Sequence, residues 1–524
     1  MAGMTTQIPP RAGRREWAGL AVLILPTLLI SIDLSVLHLA QPQLSADLRP
    51  SSSQLLWIND VYGFLIAGFL ITMGNLGDRI GRRRLLLTGG TAFGIASVLA
   101  AYAPNAELLI LARGLLGVAG ATLMPSTLSL IRAMFPDPAQ RTRAVSLWMI
   151  GFSGGMVLGP VVGGLLLERF WWGSVFLLGV PVMAVLGVLG PLLLPESRDP
   201  RSGRVDLLSV LLSLTGVIAM IYGIKEIAAY GAHAGPVAAV AAGAAILALF
   251  VRRQRRIADP MLDLGLFAQR RFSVSLGVLV LVILVGPGLG MLTAQYLQLV
   301  LGLSPLEAGL WGLPQSAAVI TAFLVTPTLA RRFPPATVAA VGLGVSAVGV
   351  ALLTRTGADS GLAPLVAGQV LFFAGASPMM VLGTDMIISA APPERAGAAS
   401  ALSETAQEFG GALGLAVFGS VATVVYRAEL DAPAGVPAEA VRAARDTLGG
   451  AAEVAGRLPG ELGDALLTGA REAFVGGMHL AAATAAAVTL TAAVLTAVLL
   501  RRTPVAERLA EKGADATESD VVAS

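Results

Sequence analysis

The chain has 524 residues, 55% of them hydrophobic and only 13% charged, with a mean hydropathy of +0.77; this balance excludes an ordinary water-soluble globular protein. Cysteine is absent, which removes disulfide frameworks, thiolate metal sites and cysteine nucleophiles. The net charge of +3 does not point to nucleic acid, because the basic residues stand in short clusters between apolar runs, where they act as topology signals.

Residues 1–16 are basic at Arg11, Arg14 and Arg15. The apolar run after them is too long for a signal-peptide core, so it is expected to remain as the first helix. About 20 apolar residues cross a bilayer core of about 30 Å. Fourteen such runs begin near Trp17, Gln54, Leu85, Glu107, Ala144, Trp172, Leu207, Pro236, Phe272, Ser304, Ala336, Leu362, Gly397 and His479. The fold class is therefore an all-α membrane protein. Between the last two runs, residues 427–472 form a long outer loop rich in Ala, Arg and Glu, expected to contain short amphipathic helices. It is either an exit lid or a solvated connector. Residues 503–524 read as a disordered tail.

Lys and Arg concentrate in cytoplasmic loops of membrane proteins. Of the 36 basic residues, 26 fall in alternate segments on the side of the termini, nine, Lys225 among them, fall opposite, and Arg113 lies inside a helix. Both termini are expected in the cytoplasm.

The loop after the second helix, Gly74-Asn-Leu-Gly-Asp78-Arg79-Ile-Gly81-Arg82-Arg83-Arg84, has a decayed counterpart after the tenth, Thr328-Leu329-Ala330-Arg331-Arg332-Phe333-Pro334. Two six-helix halves repeated in parallel account for this. The halves span 17–194 and 272–502, with two inserted helices and their linkers in 195–271.

The Gly74–Arg84 loop resembles the signature loop of the major facilitator superfamily. Arg113, Gly117 and Gly120 resemble its fourth-helix motif, and Gly155-Met-Val-Leu-Gly159-Pro160-Val-Val-Gly163 its fifth-helix antiporter motif. Asp33-Leu-Ser35-Val-Leu-His38-Leu-Ala40-Gln-Pro42, Leu56–Tyr62, Ile224-Lys225-Glu226 and Glu404 with Glu408 are similar to fourteen-helix drug:proton antiporters, in particular exporters of quaternary ammonium compounds. His38 and Ser35 depart from the usual pattern. The resemblance implies a major facilitator fold in a bacterial inner membrane, with lipids and small lipophilic or cationic molecules as partners; one chain already supplies both halves, so it is expected to work as a monomer. It implies proton-coupled export of drugs and biocides; the alternative is a dedicated exporter of one host-made natural product.

Carboxylates inside bilayer helices cost about 2.5 to 3.5 kcal/mol at the centre, so each needs a reason. Counting at about 1.5 Å per residue from Gln41, Gln54 and Glu107 places Asp33, Asp60 and Arg113 in one layer roughly 9 to 12 Å below the outer surface. They form either a fixed ion pair or a proton-coupling group, since an acid in a low-dielectric cavity can exchange a proton for a cation. Glu404 and Glu408 share a helix face, where two nearby like charges resist simultaneous ionisation. They either coordinate a substrate cation or line a water-filled wall. Asp385, near the cytoplasmic end of the twelfth helix, reads as a gate or loop contact rather than a proton carrier. Aromatic faces attract flat cations; the candidates are Trp57, Tyr62, Trp148, Phe152, Tyr296, Trp311, Phe372 and Phe409, while Trp171 and Trp172 read as interface residues.

Asp78, Arg79, Arg82 and Arg83 form a charged cluster that is either topological or, as the resemblance implies, a conformational switch. The glycine row that includes Gly155, Gly159 and Gly163, with Pro160 as a bend, gives a groove for close packing; the resemblance adds a hinge role. The sequence contains no P-loop, so ATP hydrolysis by this chain is not expected, and no metal cluster or nucleophile elbow; the resemblance implies protons as the coupling ion, and neither a cofactor, a metal nor an enzymatic reaction is expected.

Overall fold

The computed structural model describes residues 11–50, 52–198, 206–257, 260–262, 264–357, 361–392, 396–433 and 435–500. Its helices are α1 (Arg14–Leu48), α2 (Ser52–Ile80), α3 (Arg82–Ala101), α4 (Ala106–Met134), α5 (Pro138–Arg169), α6 (Gly179–Leu193), α7 (Leu207–Tyr230), α8 (Ala234–Gln254), α9 (Arg270–Gln295), α10 (Pro305–Leu310), α11 (Leu313–Arg332), α12 (Pro335–Leu352), α13 (Ala363–Ala390), α14 (Ala396–Glu429), α15 (Ala438–Asp446), α16 (Leu448–Ala455) and α17 (Gly460–Leu495). Among the described residues, fourteen segments are long and apolar enough to cross a membrane.

Polar side chains start several of these helices. Asn105 accepts the backbone N–H of Leu108, Asp137 that of Gln140 ahead of Pro138, and Ser304 and Glu307 cap α10 reciprocally; each satisfies donors that the first turn leaves open. Small residues then let the backbones approach. At the crossing of α12 and α13, a Cβ on Gly349 would lie 2.6 Å from the carbonyl oxygen of Gly368, and one on Gly368 would lie 2.7 Å from that of Gly349. In lipid this close contact replaces the hydrophobic driving force available in water.

In the first half α1 packs on α5, and α4 on α2 and α3. In the second, α9 packs on α14, α12 on α13, and α17 on both α12 and α14. The halves meet along α2 with α14 and along α5 with α11. The inserted α7 and α8 form a hairpin, and α7 lies against both α2 and α14, so the insertion touches the interface between the halves. At its base Asp206 caps α7 and accepts two hydrogen bonds from Arg253, at 2.8 and 3.0 Å. The Arg253 contact holds the Asp206 carboxyl below its ordinary range, at about 2.

Several sequence-derived boundaries shift. The last spanning helix starts at Gly460 rather than near His479, so residues 460–472 of the expected loop belong to α17, and α14 continues to Glu429. Amphipathic segments rich in Ala and Leu stay helical beyond the apolar zone, where hydropathy stops marking them. The tenth span is broken at Trp311 and Gly312 between α10 and α11. Lys225 lies within α7 and Arg471 within α17, not in outer loops. Trp172 is buried, its indole N–H donating to Asp47 at 2.7 Å, rather than sitting in an interface belt. Residues 1–10 and 503–524, and the side chains of Ser35, His38 and Pro160, lie outside the described residues.

Candidate transport site

Three helices bring the first charges together. Arg113 of α4 donates to Asp33 of α1 at 2.7 Å and to the Ile58 carbonyl of α2 at 3.2 Å, and its guanidinium stands 4.4 Å from the centre of the Tyr62 ring. Arg113 is 1% exposed. A buried cation of this kind persists only when carboxylate, carbonyl and aromatic groups replace its water.

Asp60 does not join that group. Its carboxylate accepts from Lys225 of α7 at 3.0 Å, and the ammonium lies 4.8 Å from the centre of the Phe64 ring. The side chains of Lys225 and Asp60 are 35% and 39% exposed, so this pair faces open space, unlike the Asp33 pair. Phe64 is flanked edge-on by Trp57 at 6.3 Å and Tyr222 at 6.1 Å. Phe409 of α14 packs against the same apolar cluster between α2 and α7.

Glu404 and Glu408 project from α14. Neither makes an ion pair or hydrogen bond among the described residues. Glu404 is half-buried, whereas Glu408 is exposed midway along a helix that packs on α2, α7 and α9. The two carboxylates act electrostatically on each other, and Lys225 acts on Glu408.

Of the aromatic candidates, Trp57 and Phe409 lie beside the acids with part of their surface open, and Phe152 is half-buried on α5. Four others are corrected by their packing. Tyr62 is wholly buried beneath Arg113. Trp148 is buried with its N–H on Thr127 at 3.2 Å. Tyr296 and Phe372 sit in the core of the second half, where the Tyr296 hydroxyl donates to the Gly357 carbonyl at 2.8 Å and Phe372 packs edge-on against Phe373. None of these four offers a free face to a ligand. Trp311 belongs to a separate hollow with Glu307, Leu310, Leu313, Pro314 and Ala317. Phe64 and Tyr222 carry no distinguishing signal in the sequence, whereas Lys225 stands out there as a lone lysine beside an apolar run and within the Ile224-Lys225-Glu226 motif, without a site role assigned to it.

At the end of the bundle where α1 begins, Asp78 of α2 accepts the backbone N–H groups of Gly397 and Ala398 at 3.1 and 3.0 Å. These open α14, so the carboxylate meets unpaired donors and the positive end of a helix dipole. Arg82 holds the same carboxylate at 2.7 Å. Arg79 donates to Asn75 at 2.8 Å, and Arg83 reaches the Leu194 carbonyl at 3.0 Å. Gly81 between them has φ +108°, and a Cβ there would lie 2.6 Å from the Glu196 carboxylate; only glycine fits. The counterpart residues Arg331 and Arg332 are exposed. Beside α5, Arg141 and Thr142 bind Asp385 of α13.

The α5 glycines receive α1. A Cβ on Gly155 would collide with Ser31 and the Leu28 carbonyl, and one on Gly163 would approach Val36 to 2.9 Å; Gly159 is buried.

The sequence profile of the Major Facilitator Superfamily matches residues 23–415. The chain is 46% identical to the multidrug efflux pump LfrA of Mycolicibacterium smegmatis, covering 95% of this chain and 98% of that one. It is 35% identical to the methyl viologen resistance protein SmvA of Salmonella typhimurium, covering 92% and 97%. Among solved structures, the human organic anion transporter MFSD10 superposes with a TM-score of 0.56 at 15% identity, covering 92% of this chain and 98% of that one, a likeness of fold.

Proposed function

Because this chain belongs to the major facilitator superfamily, we propose that it is a proton-coupled antiporter that exports lipophilic, cationic small molecules across a bacterial inner membrane. The relatives named for multidrug efflux and methyl viologen resistance support export and the cationic substrate class. The observation that carries the coupling is the exposed Glu408, close in sequence and field to Glu404 and without an ion pair among the described residues.

Antiport requires that one group bind either a proton or a substrate cation, never both. A carboxylate in a cavity of low dielectric meets that condition, because it is neutral when protonated and attracts a cation only when ionised. Glu408 is the first such group, with Glu404 as its partner. Asp60 supplies a second carboxylate on the opposite half, and Trp57 and Phe409 supply aromatic faces. Asp33, locked to Arg113, sets the field of the layer. These residues exchange protons and cations, and no covalent step is assigned to them.

The concentration of arginine at one end supports a cytoplasmic location for both termini. The halves are tied together at that end through Asp78 and Asp385. The exposed acids therefore face the outside, the arrangement from which substrate is released and a proton taken up. Rigid-body rocking that breaks the ties would reverse it.

The test is efflux of a fluorescent lipophilic cation from cells expressing the protein, with and without a protonophore, alongside Glu408→Gln. Efflux that stops with the protonophore and in the variant supports the reading. Efflux that continues unchanged in both overturns it. A panel of unrelated dyes, biocides and antibiotics then separates broad export from export of a single natural product.

A further inference from the structure

Carboxylate and aromatic faces arranged around an ammonium are the recognition chemistry of an organic cation, and here the protein's own side chain occupies them. The Lys225 ammonium lies 3.0 Å from Asp60 and 4.8 Å from the centre of the Phe64 ring, with Trp57 and Tyr222 edge-on to that ring. The lysine comes from the inserted hairpin, so the two extra helices supply this occupant. We infer that Asp60, Phe64, Trp57 and Tyr222 form a subsite for one positive charge of an organic cation, that Lys225 is its tethered resident, and that substrate enters by displacing the Lys225 ammonium.

Comparison of the two ion pairs separates a resident from a structural brace. The Asp33–Arg113 pair is closed, its side chains 13% and 2% exposed, whereas the Asp60 and Lys225 side chains are 39% and 35% exposed. An open pair gives up its partner at little desolvation cost. Lysine is also the suitable residue: it is a compact charge on a flexible stem, where arginine would grip the carboxylate as a fork. The chain has 36 basic residues, and lysine stands only at Lys225 and Lys512.

This inference rests on the cation-export reading and is tested by binding to the purified full-length protein, with tetraphenylphosphonium as the probe. Lys225→Gln empties the subsite, so its Kd is expected to fall about fivefold, the scale of one carboxylate or cation–π contact. Lys225→Arg, which keeps the charge, returns it towards wild type. Asp60→Asn in the Lys225→Gln background abolishes the gain. Unchanged or weaker binding by a Lys225→Gln protein with wild-type melting overturns the inference alone, as does a gain that survives Asp60→Asn. A wild-type protein that binds no organic cation overturns the export reading as well. A measurement on unmutated protein guards against misfolding: an amine-reactive reagent should modify Lys225 faster when tetraphenylphosphonium is present, with Lys512 as internal reference. A rate that is unchanged or lower counts against displacement.

Discussion

Arg141 of α5 donates to Asp385 of α13 at 2.5 Å, while Thr142 reaches the other carboxylate oxygen at 3.2 Å. This tie joins the two halves through α5 and α13, separately from the contact between Asp78 of α2 and the start of α14. Two separate clasps thus close the same end, one on a helix dipole and one on an ion pair. Each is worth about 1.5 to 3 kcal/mol as a charge-assisted contact, enough to set the balance between two rigid-body arrangements.

Neutralising either clasp should open that end. The native chain lacks cysteine, so Ser400→Cys, at a buried position of α14, gives a single labelling site. In that background Asp385→Asn or Asp78→Asn is expected to raise maleimide labelling through that end about tenfold, the equivalent of about 1.4 kcal/mol. Labelling that stays at the parent rate in both variants would rule out the clasp role.

The buried pair predicts a different signature. Removing Asp33 leaves a guanidinium without its counter-charge, a loss on the order of 3 to 5 kcal/mol. Asp33→Ala should therefore melt well below wild type, and Asp33→Ala with Arg113→Leu should recover part of the difference. Transport is expected to be lost in both. If the double variant melts no higher than the single, Arg113 is not held chiefly by that carboxylate.

The α1–α5 seam can be probed with a neighbouring control. Gly155→Ala pushes a methyl group into Ser31 and the Leu28 carbonyl, whereas a Cβ on Gly154 finds nothing within 4 Å. The first change should destabilise by about 1 to 3 kcal/mol through overpacking. The second should leave thermal stability close to wild type. Equal melting temperatures for the two variants would falsify the tight contact.

Asp206 makes the base of the inserted hairpin sensitive to acid. Its folded pKa of about 2 lies below the ordinary value of 3.8, so the group binds fewer protons when folded. Its contribution to stability is fully present above about pH 4 and declines as the pH falls towards 2. Melting of the wild type should drop across that window more steeply than melting of Asp206→Asn. Parallel pH profiles would remove Asp206 from the account.

Much of the architecture is legible in the sequence itself. Twenty-residue apolar runs and the rows of small residues report on the bilayer locally, because each spanning helix must satisfy its own backbone and present an apolar surface. The intramembrane acids were legible for the same reason: a charge in an apolar run stands out against its neighbours. The loop Gly74–Arg84 also declared itself through a dense local pattern.

Partnership was decided only by tertiary structure. Asp33 and Asp60 look alike in sequence, yet one is locked to Arg113 and the other forms an open pair with Lys225, which hydropathy alone assigns to an outer segment. Tyr62, Trp148, Tyr296 and Phe372 read as ligand contacts but are sealed by packing, while Phe64 and Tyr222 border the open pair. Period and hydropathy place a residue on a helix and at a depth. Which face meets a neighbouring helix, and which meets the cavity, depends on how the halves and the inserted hairpin pack together. The sequence alone therefore determined a fourteen-span membrane protein with buried acids, and the packing of α2, α7 and α14 decided which of those acids is free to exchange its partner.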